Sequence, residues 1–181
     1  MRWSKPGGGG QGPRSYHHGN LKEALIRAAL QLIAEKGPAG FTFAEAALAK
    51  AWDDGKPDPA TAFDRLGKAY LAFARSEPAY YSAMFETGVP LDTSPELRAA
   101  GDRAFGVLRN ATEKLVATMP TKDRPPVLMM ALHVWAFSHG IASLFGRGDA
   151  GRRSLPMSAE ELLEAGMLLY LRGLGLPEHV K

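Results

Sequence analysis

The chain has 181 residues, 45% of them hydrophobic and 23% charged, the balance of a globular unit with a substantial core. It contains no cysteine, which excludes disulfides, thiolate metal sites and thiol catalysis and fits a reducing cytoplasm. The net charge is +3, yet residues 1–36 alone carry +4, so a basic arm precedes a near-neutral body, either as a phosphate-binding end or as a solvated tail.

Residues 1–15 are rich in Gly and Pro and read as a disordered arm. Their "GGGG" is not a phosphate loop, because no apolar strand precedes it and no Gly-Lys-Ser/Thr follows. The first predicted helix opens at Asn20, which forms a capping pair with Glu23, carries Leu21, Leu25, Ala28 and Leu32 on one stripe, and ends at Gly37-Pro38. A short alanine-rich helix follows in "FTFAEAALAKAWDDGK", residues 41–56. Thr42 and Glu45 are spaced to cap its start, and Asp53-Asp54-Gly55 breaks it after Trp52.

After the loop "DDGKPDP", the spacing of Phe63, Leu66, Tyr70 and Phe73 predicts a helix from Pro59 to about Ser76. Pro78 then fits the first turn of a short helix, "PAYYSAMFE". A long helix is predicted from about Pro95 to Thr118, with Leu97, Ala100, Ala104, Leu108 and Leu115 on its apolar side. The helix predicted from Pro126 to about Gly146 has two apolar stripes. Leu128, Leu132, Trp135, His139 and Ala142 form one; Met130, Val134, Phe137, Ile141 and Leu144 form the other. Such a helix is expected to be buried on both sides. Ser158 and Glu161 make a further capping pair for a last helix bearing Leu163, Met167 and Tyr170. No alternating run or hairpin dipeptide marks a strand, so the fold class is all-α. No run of eighteen uninterrupted apolar residues occurs, and no membrane span is expected.

Two apolar final helices need more neighbours than one small domain supplies. Pairing with their copies across a two-fold axis would satisfy them; a monomer with these helices at its centre is the alternative. The expected dimer interface is Phe137, Ile141, Leu144, Leu163, Met167 and Tyr170.

Two stretches carry a family resemblance. "YHHGNLKEALIRAALQLIAEKGPAGFTFAEAA", residues 16–47, resembles the opening of a TetR-family transcriptional regulator, and "ALHVWAFSHGIASLF", with Trp135, His139 and Gly140, resembles the Trp-His-Gly signature of one class of TetR C-terminal domains. "ARSEPAYYSAMFETG" fits the same class. The resemblance implies a TetR-like helical bundle with a disordered arm (1–15), a DNA-binding region (16–52) and a C-terminal domain for ligand binding and dimerisation (53–181). One departure stands out. The family's tight turn, recognition helix and linker helix, roughly forty residues, have no counterpart after Ala47, so the helix-turn-helix is incomplete.

What remains of the DNA-binding equipment is Arg14, His17, His18 and Lys22 near phosphates, with Thr42 at a helix N-terminus. His17-His18 is not a metal pair, because adjacent histidines rarely converge on one ion and no carboxylate lies at ligand spacing. No cofactor is expected. Trp135 and His139 meet at i, i+4, either as a packed core pair or as part of an effector pocket whose further lining is Tyr81, Met84, Phe85 and Met129. The expected partners are an operator DNA, provided a recognition helix is present, a small apolar or aromatic effector, and a second copy of the chain. Ser138 is not in a nucleophile elbow, and no catalytic constellation is visible. The implied function is a ligand-responsive repressor; the alternative is a small-molecule-binding dimer that has lost specific DNA binding.

Overall fold

The computed structural model describes Gln31, residues 39–146 and residues 156–175. The helix expected from Asn20 and the arm residues Arg14, His17, His18 and Lys22 lie outside the described residues. Six α-helices are described: α1 (Ala39–Trp52), α2 (Pro59–Ser76), α3 (Pro78–Phe85), α4 (Pro95–Ala117), α5 (Val127–Gly146) and α6 (Ala159–Gly173). No strand occurs among the described residues. The all-α reading therefore holds.

Helix α1 starts earlier than the capping pattern suggests. Ala39, Gly40 and Phe41 are already helical, so Thr42 lies exposed inside the first turns and is not a cap. Glu45 does not reach back to an amide; its carboxylate holds Arg103 of α4 at 3.1 Å. The helix extends upstream because Phe41, Ala44, Leu48 and Trp52 form one buried stripe at helical spacing. That stripe packs α1 onto α2, α3 and α4. Asp53, Asp54 and Gly55 then take positive φ of 43°, 54° and 81°, a left-handed turn that Asp and Gly tolerate. Arg65 of α2 donates to the Ala51 carbonyl at 3.1 Å and to that of Lys56, so the carbonyls at the end of α1 are satisfied from a neighbouring helix.

Helices α2 and α4 are capped by residues just ahead of an N-terminal proline. Asp58 accepts from the Ala60 and Thr61 amides, each at 3.0 Å, and Ser94 accepts from the Leu97 amide at 3.1 Å. The last predicted cap is present in full: Ser158 and Glu161 exchange side-chain and backbone bonds at 3.1 and 2.7 Å. Helices α2, α4 and α5 pack mutually, and α6 lies on α2 and α5. Their shared core includes Phe63, Leu66, Tyr70, Leu115, Met130 and Val134, each large side chain contributing about 1.5–3 kcal/mol by leaving water.

Helix α5 corrects the expectation of burial on both sides. Met130, Ala131, Val134, Ser138, Ile141 and Ala142 face the core, but Leu128, Met129, Leu132, Phe137 and Leu144 are exposed. By length and composition α5 is also the described helix apolar enough to cross a membrane; its buried face is that of a core helix. Ile141 and Leu163, expected at a dimer interface, are buried within the chain's own core. Phe137 and Leu144 are exposed, and Met167 and Tyr170 half-buried. On α6 the most exposed apolar side chain is Leu169, at 70%.

Candidate functional site

A cavity of about 380 Å³ opens between α1, α2, α4 and α5. It lies within the size range of small-molecule sites. Helix α1 supplies Phe41, Ala44 and Leu48; α2 supplies Phe63, Leu66 and Tyr70. Across from them stand Ala104, Phe105 and Leu108 of α4 with Leu132, Val134, Trp135 and Ser138 of α5, while Met84 and Phe85 reach in from α3. The polar side chains in this lining are Tyr70, Asp102 and Ser138. Small residues (Ala44, Gly67, Gly101, Ala104) recur in the lining where the helices meet; at Gly67 and Gly101 an added Cβ would press on Leu163 and Leu91, so there the absent side chain admits a neighbouring leucine.

The expected pocket residues separate into three groups. Met84, Phe85 and Trp135 line the cavity. Tyr81 and His139 are not in the lining; they stand behind it, where the Tyr81 and Tyr70 hydroxyls each lie 2.9 Å from Nδ1 of His139. Met129 is 41% exposed and absent from the lining. It precedes the buried Met130 and is rotated by about 100° from it around α5.

The layer behind the cavity is an aromatic cluster with a polar centre. The His139 ring stacks on Tyr81 at 5.6 Å and meets the Phe85 ring edge-on at 4.8 Å. Trp135 lies 5.6 Å from His139 and 6.3 Å from Phe105. A histidine Nδ1 has one in-plane bonding position, so the two hydroxyls share it, and Tyr81 has a second acceptor in the His139 carbonyl at 3.4 Å. Burial, reinforced by the adjacent Tyr81 hydroxyl, pushes the Tyr70 phenol far above its ordinary range, against a smaller opposing effect of Trp135. Tyr70 thus stays protonated and is unsuited to act as a base. Among the described residues no three His, Cys, Asp or Glu side chains converge as a metal site.

Sequence patterning did not single out the α1 wall, Phe105, Asp102 or Ser138. A signal existed for the last: Ser138 is a lone small hydroxyl among apolar side chains on the inward face of α5.

The family described as "Tetracyclin repressor-like, C-terminal domain" matches residues 63–170. No curated protein matches the chain. Among solved structures, a protein with unknown function from Rhodococcus sp. RHA1 superposes with a TM-score of 0.64 at 20% identity, covering 89% of this chain and 98% of that one. That similarity concerns the fold.

Proposed function

The chain belongs to the tetracyclin repressor-like family through its C-terminal domain, and we propose that it is a ligand-responsive transcriptional repressor released from its operator by a small apolar or aromatic effector. The observation that carries this reading is the position of α1. Its buried stripe forms one wall of the cavity, and its other end leads into the basic N-terminal segment, which holds Arg14, His17, His18 and Lys22. A molecule entering between Phe41, Leu48, Phe105 and Trp135 has to displace α1 or be gripped by it. Occupancy is thereby coupled to whatever the N-terminal segment holds. The working unit is a homodimer joined through α5 and α6, whose exposed apolar residues Phe137, Leu144 and Leu169 are ones a second copy would cover.

A second reading is favoured by a specific observation. Helix α1 passes through the Asp53–Gly55 turn directly into α2, and its apolar face is already spent on the core. In this reading the recognition helix is absent, and the chain is a ligand-binding dimer without sequence-specific DNA binding. It would act by pairing with intact relatives.

Fluorescence anisotropy of the full chain on selected and scrambled duplexes separates the two. Repressor function predicts nanomolar binding to a selected sequence, reversed by an effector. The second reading predicts weak binding, equal on both duplexes and collapsing with salt because only phosphates are contacted.

A further inference from the structure

The cavity is narrower in its chemistry than its apolar walls suggest. Among the described residues no Lys, Arg or His lines it, and Asp102 is its one charged side chain. Asp102 is exposed, as is Leu132 in the same lining, and has no ion pair or hydrogen bond among the described residues. Phe105 follows it one helical turn on, half-buried, with its ring 6.3 Å from that of Trp135. One turn beyond Trp135 lies Ser138, 4% exposed.

The Ser138 hydroxyl has no hydrogen-bond partner among the described residues. Thr112, equally interior, bonds the Leu108 carbonyl at 2.8 Å. No fully enclosed side-chain oxygen among the described residues lacks a partner, so the Ser138 oxygen keeps some free surface. In a cavity-lining residue, that surface belongs to the cavity. The site therefore offers a carboxylate, two aromatic rings and an unused hydroxyl.

An anion entering this site would lose water with no positive side chain among the described lining residues to replace it, and would face a carboxylate. A cation beside Asp102 would gain that carboxylate and the neighbouring aromatic rings of Phe105 and Trp135. We propose that the cavity selects lipophilic organic cations, an aromatic amine being the simplest, with nitrogen at Asp102, rings between Phe85, Phe105 and Trp135, and a polar ring substituent at Ser138. This rests on the reading of the cavity as the effector site.

The test uses the full chain and three probes of one shape: 4-(1-naphthyl)butylamine, the corresponding alcohol and the corresponding carboxylate, titrated calorimetrically at neutral pH and low salt. The amine is expected to bind about two- to fivefold tighter than the alcohol, as an exposed charge pair allows, and the carboxylate at least about tenfold weaker than the alcohol. Asp102→Asn, an isosteric change at an exposed position, should erase the advantage of the amine over the alcohol. Added salt should do the same. A carboxylate that binds as well as the amine, an amine no tighter than the alcohol, or an amine preference that survives in Asp102→Asn would overturn the cation assignment and leave the effector reading in place. Failure of all three probes to bind would overturn both.

Discussion

The Tyr70 hydroxyl lies 2.9 Å from Nδ1 of His139, tying α2 to α5 behind the cavity wall. Removing that hydroxyl takes away one of the two tyrosine contacts to this nitrogen. Tyr70→Phe should therefore cost about 1–2 kcal/mol in urea unfolding. Tyr81→Phe should cost a similar amount, and the double substitution more than the sum of the two singles, since both hydroxyl contacts to Nδ1 are then lost. Strict additivity in the cycle would mean the hydroxyls do not share one acceptor.

The same residue predicts an alkaline limit. Burial raises the Tyr70 phenol in the folded chain, whereas in the unfolded chain it ionises near its ordinary value of about 10. Above that pH the folded state binds more protons than the unfolded state, so stability falls as pH rises; below it the contribution is complete. Urea midpoints should be flat to about pH 9.5 and decline beyond about pH 10. The decline should be shallower in Tyr70→Phe, and a parallel decline in both proteins would remove Tyr70 as its source.

Much of this fold could be read from the sequence, for a physical reason. Helices α2, α4 and α6 are marked by caps or an N-terminal proline together with a regular apolar stripe, all of them local signals. The start of α1 was misread because Thr42 and Glu45 match a local capping pattern, while what sets the helix start is the burial of Phe41 against α3 and α4, a tertiary effect invisible in spacing. Helix α5 misled in the opposite way. Apolar residues on two faces say that both seek burial, but not whether the second is met inside one chain. The cavity was half legible: Met84, Phe85 and Trp135 were found as aromatic and adaptable side chains, but Ala44 and Asp102 line it only because four helices meet there.

Filling the cavity from the α1 side tests that wall. Ala44 is buried and lines the open space, so Ala44→Leu adds methyl groups where atoms are missing. The expected result is unchanged or higher stability, by up to about 1 kcal/mol, with loss of probe binding in calorimetry. A loss of stability with binding intact would show that Ala44 faces packed core.

The cap of α6 offers a test by pH. The Ser158 amide and then its hydroxyl hold the Glu161 carboxyl below its usual range. A depressed carboxyl contributes stability above its unfolded value of about 4.3, and the contribution is lost as pH falls through the folded value. Ser158→Ala should destabilise the protein by about 1 kcal/mol at neutral pH and move the Glu161 titration upward in an NMR series. An unmoved titration would mean that the box does not persist in solution.

Two glycines distinguish packing inside the chain from packing between copies. At Gly166 an added Cβ would lie 2.1 Å from the Phe137 ring. Gly166→Ala must therefore expel that ring, at a cost of about 1–3 kcal/mol in the unfolding free energy. At Gly140 an added Cβ meets nothing within 4 Å, although this glycine sits mid-helix between Phe137 and Leu144 on the exposed face of α5. Gly140→Ala should thus leave the protomer unharmed or stabilise it by about 0.5–1 kcal/mol through helix propensity. If that face meets its copy closely, the larger side chain of Gly140→Leu will still fold but will weaken the dimer at least about tenfold in sedimentation equilibrium, equivalent to about 1.4 kcal/mol. An unchanged association constant for Gly140→Leu would move the interface away from α5, leaving Phe137 and Leu144 without the partner assigned to them.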